Sequence, residues 1–122
     1  MDLGGFRVIA GTHNFTINQG TTFSRRLRIK NSEGEPFDLT GYQARMQIRR
    51  QLTDSSFYVE LSTENGRITL EPEDGVILLY MSDDITRTIP KDGVYDLEIE
   101  SEVGEVFRVI EGKVRLKPEV TR

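Results

Sequence analysis

Cysteine and tryptophan are both absent from this chain, and histidine occurs once in its 122 residues. Without cysteine the chain forms no disulfide and offers no thiolate to a metal. With His13 alone, a histidine-rich metal site is excluded, and any Ser-His-Asp triad would have to use that one residue. No apolar run approaches the ~20 residues that cross a bilayer as a helix. The opening residues Met1 to Gly5 lack the basic and apolar regions of a signal peptide, so synthesis and folding in the cytoplasm are expected. Sixteen basic against twenty acidic residues give a net charge of −4. A general nucleic-acid binder needs a cationic surplus to release counterions, and this chain has none.

What is present is alternation. Hydrophobic residues make up 36% of the chain, and they are spaced by two, the period of a strand with one buried face. The clearest case runs from Tyr42 to Arg50. Tyr42, Ala44, Met46 and Ile48 point one way; Gln43, Arg45, Gln47 and Arg49 point the other. Phe15 and Ile17 predict a strand ending at Asn18-Gln19-Gly20. Phe23, Leu27 and Ile29 share the inner face of the next, with Arg25 falling on that face at a sheet margin. Phe37 and Leu39 flank the Asp38–Gly41 corner and are expected to plug one end of the core. Further strands are expected at 57–61, with Phe57, Val59 and Leu61 inward, at 67–71, and at 94–100. In the last, Tyr95, Leu97 and Ile99 face in, and Asp96, Glu98 and Glu100 form an acidic outer row. Asn65-Gly66 reads as a hairpin turn. Gly112 interrupts a final strand over 106–117, marking a bulge or a close approach. Ser82 to Pro90 reads as one helical turn, capped by Ser82 or Asp83. About eight or nine strands at this spacing predict an all-β sandwich or barrel, as a single domain over 13–117. Residues 1–12 are left as an N-terminal arm and 118–122 as a tail.

No cofactor or catalytic site is expected. Asp83-Asp84 fits a helix start better than a cation site, because Ca²⁺ needs six to eight oxygens. The acidic row and the basic row Arg45–Arg49 would pair across the sheet if their strands are neighbours; otherwise each would meet a partner. Alternation fails at Val76–Met81. There Ile77, Leu79 and Met81 form one apolar face, and Val76, Leu78 and Tyr80 a second. A strand apolar on both sides is covered on both sides. The second cover is expected from the arm, through Phe6, Val8 and Ile9, or from another subunit.

Several motifs carry a family resemblance. They are Asn18-Gln19-Gly20-Thr21-Thr22-Phe23, the run Asp38-Leu39-Thr40-Gly41-Tyr42-Gln43-Ala44-Arg45-Met46-Gln47-Ile48-Arg49, and Leu61 to Ile68. Tyr95-Asp96-Leu97-Glu98, Glu111-Gly112-Lys113-Val114 and Pro118 to Arg122 complete the set. In these the sequence resembles small structural proteins of tailed bacteriophages. Those proteins are similar to the immunoglobulin-like N-terminal domain of the upper baseplate protein of lactococcal phages. The resemblance implies an immunoglobulin-like antiparallel β-sandwich with one short helical turn near 83–88, and no catalytic residues. It implies a non-enzymatic virion component of the tail, baseplate or neck, bound to other virion proteins, to copies of itself and possibly to tail fibres. Neither nucleic acid nor membrane is an expected partner. Interface residues are expected at Phe6, Val8, Ile9, Arg45, Arg49, Val76, Leu78, Tyr80 and Val120. The alternative is a carbohydrate- or host-receptor-binding module, with Tyr58 and Tyr80 as outward rings.

Overall fold

A computed structural model gives the fold and describes residues 11–121. The expected arm residues Phe6, Val8 and Ile9 lie outside the described residues. Where the sequence alternates, strands form. Residues 42–50 supply β4 (Gln43–Arg49), with Ala44, Met46 and Ile48 buried while Gln43 and Arg45 stand exposed. Around it, in chain order, are β1 (Gly11–Thr12), β2 (Phe15–Asn18), β3 (Phe23–Arg28), β5 (Val59–Ser62) and β6 (Ile68–Glu71). A 3-10 turn (Pro72–Asp74) leads into β7 (Val76–Met81) and α1 (Asp83–Thr86), and β8 (Gly93–Glu100) and β9 (Val106–Lys117) complete the chain.

These strands make two sheets. The larger has six strands in the order β1-β9-β8-β4-β5, with β2 also on β9; the smaller is β3-β7-β6. In chain order, β3 to β9 take the places of strands B, C, C′, D, E, F and G of an immunoglobulin sandwich. B, E and D share one sheet, and C, C′, F and G the other. The protein is an all-β, immunoglobulin-like sandwich. One qualification concerns strand direction: β1 and β2 run parallel to β9, while every other pairing is antiparallel. Because Gly11 and Thr12 already pair with Ile110 and Glu111, the sandwich begins before residue 13.

The core lies between the sheets. Met46, Ile48, Leu61, Ile77, Leu79, Met81, Leu97 and Ile99 are fully inaccessible to solvent. Tyr95 lies near the start of β8, two residues before Leu97. In antibody domains the position of Leu97 holds a disulfide cysteine and that of Tyr95 the corner tyrosine. Here Leu97 fills its place with apolar packing, and the Tyr95 hydroxyl donates to the backbone carbonyl of His13 on the opening segment. Burial pushes that phenol far above its ordinary range, with Glu111 adding to the effect.

Two local expectations change, at Asn65-Gly66 and at Phe57, and two others gain detail. Asn65-Gly66 does form a turn, with Gly66 at φ +81°, but no non-glycine residue among those described has positive φ. A two-residue type I′ hairpin needs positive φ at both central positions. Instead Asn65 caps the turn, its Oδ1 accepting from the amides of Ser62 and Arg67. The chain then crosses from β5 in one sheet to β6 in the other. Phe57 faces outward, 47% exposed, because the strand starts only at Val59. At Gly112 the close approach holds, but the register shift falls between Leu97 and Glu98, opposite Val109. Arg25 sits at the margin as expected, with its guanidinium 4.5 Å from the Phe23 ring centre and no carboxylate partner among the described residues.

Candidate functional site

The family motifs turn out to build corners. Gln19 donates its side-chain amide to the Ile89 carbonyl and accepts from the Glu119 amide. The amide of Gly20 donates to the hydroxyl of Thr86, which is fully buried and itself donates to the Thr21 carbonyl. Arg87 closes the knot by binding both carboxylate oxygens of Glu119. Asp83 and Asp84, the acidic pair at the helix start, also face Arg87. Among the described residues no group of three or more metal-ligating side chains comes together. At the other corner Asp38 Oδ1 accepts from both the amide and the hydroxyl of Thr40, while Gly41 turns the chain at φ +83°. Leu39 is fully buried there, and Phe37 packs edge-on against Tyr42. At these two corners the motif residues hold the fold and present no site.

Candidate contact surfaces are the outer faces of the sheets and one loop. On the six-stranded sheet the acidic and basic rows are neighbours, since β4 and β8 pair with Arg45 opposite Glu98 and Gln47 opposite Asp96. The rows meet, but a single ion pair among the described residues joins them directly. Arg45 binds Glu98 at 3.3 Å, and Arg108 reaches Asp96 and Glu111. Between β4, β5 and β8 this face sinks into a hollow of about 140 Å³, bordered by Gln43, Arg45, Glu60, Glu64, Glu98 and Glu100. Glu64 and Glu100 make no ion pair among the described residues.

Asp96 sits under strain of charge on this face. Burial raises its carboxyl above the ordinary value of 3.8, and the neighbouring Glu98 adds to that, while Arg108 only partly offsets it. A carboxyl raised on folding contributes its stability when protonated and loses it as pH rises through the folded value. Asp96→Asn should therefore melt higher than the parent at pH 7, with the difference gone at about pH 3 where both carry a neutral group. Thermal melts at the two pH values check this; a variant that melts lower at pH 7 contradicts it.

A second surface is the β4–β5 loop. Arg49 does not project as a free contact: its guanidinium donates to the carbonyls of Asp54 and Ser56 and to the Gln47 side chain. Arg50 holds the Asp54 carboxylate through two hydrogen bonds, at 2.9 and 3.1 Å, keeping that carboxyl below its ordinary range. The loop fixed in this way presents Leu52, 74% exposed, and leads to the outward Phe57. Sequence reasoning missed this pair, because Phe57 was read into the strand alternation. The five hydrogen-bonding side chains packed into residues 47–54 are the available signal.

The third surface is the outer face of the β3-β7-β6 sheet. Val76 is fully buried, so it cannot contact a partner, and the expectation for it is withdrawn. It lies next to Gly75, whose Cα position abuts the backbone of Ile29 and Phe37, so the returning 31–37 segment passes close by. Leu78 is half-buried and flanked by the Arg26–Glu71 ion pair, which spans β7 at 2.9 Å. Tyr80 remains 49% exposed. Tyr58 is not an outward ring: its hydroxyl is buried with no hydrogen-bond partner among the described residues, and its edge packs on Gly93. A glycan platform would be left with Tyr80. In the tail, Val120 is 93% exposed.

No family model matches the sequence, and no curated protein does. Among solved structures, one similar chain comprises extracellular domains 3–5 of Drosophila OTK, at 14% identity and a TM-score of 0.41. The match covers 94% of this chain and 37% of that one. Another comes from photo-crosslinking work on multimeric cell-adhesive interactions of VGSC beta subunits, at 14% identity and a TM-score of 0.42, covering 95% and 99%. The strand order and pairing, not these likenesses, place the chain: it is an immunoglobulin-like β-sandwich with its candidate contacts on sheet faces and one loop.

Proposed function

We propose that this protein is a non-enzymatic assembly module, a structural component of a tailed-phage virion that binds neighbouring virion proteins. One observation carries the assembly role. Leu52 and Phe57 are held out to water by a loop whose own arginines fix its shape. Exposed apolar side chains on a preorganised support give affinity at little ordering cost. The virion placement is supported by the motifs from Asn18 to Phe23 and from Asp38 to Arg49. Localisation in the particle, after folding in the host cytoplasm, follows from that placement.

Purified particles from a host carrying the gene should contain the chain when analysed by mass spectrometry; absence from them overturns the placement. A double variant, Leu52→Ser with Phe57→Ser, tests the loop. Both side chains are exposed, so stability should change by no more than about 0.5 kcal/mol for each. Losing two contact residues at the centre of an interface costs on the order of 2–4 kcal/mol. Incorporation should accordingly fall by tenfold or more. Full incorporation of a folded double variant removes the loop from the interface.

A further inference from the structure

The outer face of the β3-β7-β6 sheet is basic, and the hollow on the opposite side of the sandwich is acidic. On the β3-β7-β6 sheet, Ser24, Arg26 and Arg28 lie beside Tyr80, Leu78 and Val76, in that order, and Lys30 continues the row. Against these cations the same face offers Glu71, which is committed to Arg26. Arg28 and Lys30 are exposed and make no ion pair among the described residues. The face therefore has an aromatic and aliphatic centre, Tyr80 over Leu78, and a basic rim. That is the layout of a protein interface: apolar centre, polar edge, Tyr and Arg prominent. The opposite face of the molecule carries the hollow bordered by Glu60, Glu64, Glu98 and Glu100, with Arg45 as its one cation.

We infer that the occupant of the basic face is a second copy of this chain, presenting its hollowed six-stranded face. The tyrosine of one copy meets the hollow of the next, and Arg28 and Lys30 meet Glu64 and Glu100. Because the two surfaces differ and lie on opposite sides of one sandwich, the contact is head-to-tail. Such a contact repeats into a ring if the rotation closes and into a stack if it does not. Charge complementarity of this kind selects the partner face and speeds encounter. The inference rests on the assembly reading above for its biological setting, and it names both surfaces and the partner.

Sedimentation velocity on the full chain tests it. At low salt the protein should associate as its concentration is raised. In about 1 M salt, where the screening length falls to about 3 Å, association should weaken by tenfold or more. Arg28→Glu with Lys30→Glu should be monomeric, and so should Glu64→Lys with Glu100→Lys, since each makes one pair of like-charged faces. Mixed in equal amounts, the two variants should associate again. All four changes fall on exposed or half-exposed side chains without ion pairs, and circular dichroism confirms that each variant is folded. Wild-type protein that stays monomeric at low salt overturns the inference. So do variants that associate like the parent, and a mixture that fails to recover. A monomer would leave incorporation into particles untouched, whereas absence from particles would leave self-association intact, so the two readings fail separately.

Discussion

Replacing Gly112 by alanine should cost about 3 kcal/mol of stability, the upper end of what overpacking usually costs. An ideal Cβ at Gly112 would lie 2.2 Å from the His13 carbonyl oxygen and 2.8 Å from its carbon. Both atoms are backbone, so no rotamer change relieves the clash. The opening strands are anchored at this point. The His13 amide donates to the Glu111 carbonyl at 3.0 Å, the Asn14 side chain accepts from the Lys113 amide, and Tyr95 holds the His13 carbonyl. A methyl group here lifts β1 and β2 from β9 and strips the buried Tyr95 hydroxyl of its acceptor, which adds its own penalty. Urea denaturation measures the loss, and hydrogen exchange should show the amides of His13 and Lys113 losing protection together. The neighbouring Lys113→Ala, at an exposed position, should stay within about 0.5 kcal/mol of the parent. Equal stability of Gly112→Ala and wild type would mean that the opening segment does not pack against β9.

Leu97→Ala should have a comparable or larger effect, about 2–5 kcal/mol. Leu97 is fully buried on β8, with Met46 opposite it on β4 and Ile110 on β9. It stands where antibody domains place a disulfide sulfur, and this chain has no cysteine to substitute for lost apolar packing. The cavity left by truncation cannot collapse easily, because β8 is hydrogen-bonded on both sides. The denaturation midpoint should fall with the slope unchanged, as expected when the native surface stays the same. Glu98→Ala, one residue on and facing out, loses only a partly exposed ion pair to Arg45 and should cost less than about 1 kcal/mol. Similar losses at the two positions would show that the faces of β8 are not as described.

Both predictions depend on a division that runs through the whole molecule. The sequence by itself determined which side chains of each strand face in. Ala44, Met46 and Ile48, and Tyr95, Leu97 and Ile99, are buried as their spacing requires, because strand geometry sends successive side chains to opposite faces whatever the strand's neighbours. It also located the corners at Gly20 and Gly41, where positive φ selects glycine. The interaction surfaces were less legible. The face of Val76, Leu78 and Tyr80 reads as covered by the arm or another subunit, yet Val76 is buried beside the 31–37 segment while Tyr80 stays half exposed, and Phe57, which reads as inward, faces out.

Tertiary structure alone decided which strands lie beside which. The backbone hydrogen bonds of a strand are the same in kind for any partner, so sequence pattern carries little information about pairing. The opening strands lie parallel to β9, with Asn14 and Lys113 bonded across 99 residues. The turn at Asn65 joins two sheets where a hairpin was expected, and the acidic row of β8 lies against the basic row of β4. Those long-range choices set the charge of each outer face. An Asp96-Glu98-Glu100 row that reads as a single acidic stripe becomes, once β4 and β9 are beside it, largely paired. Among the described residues, carboxylates without an ion pair are left at the hollow, at Glu64 and Glu100, and cations without one at Arg28 and Lys30 on the far side of the sandwich.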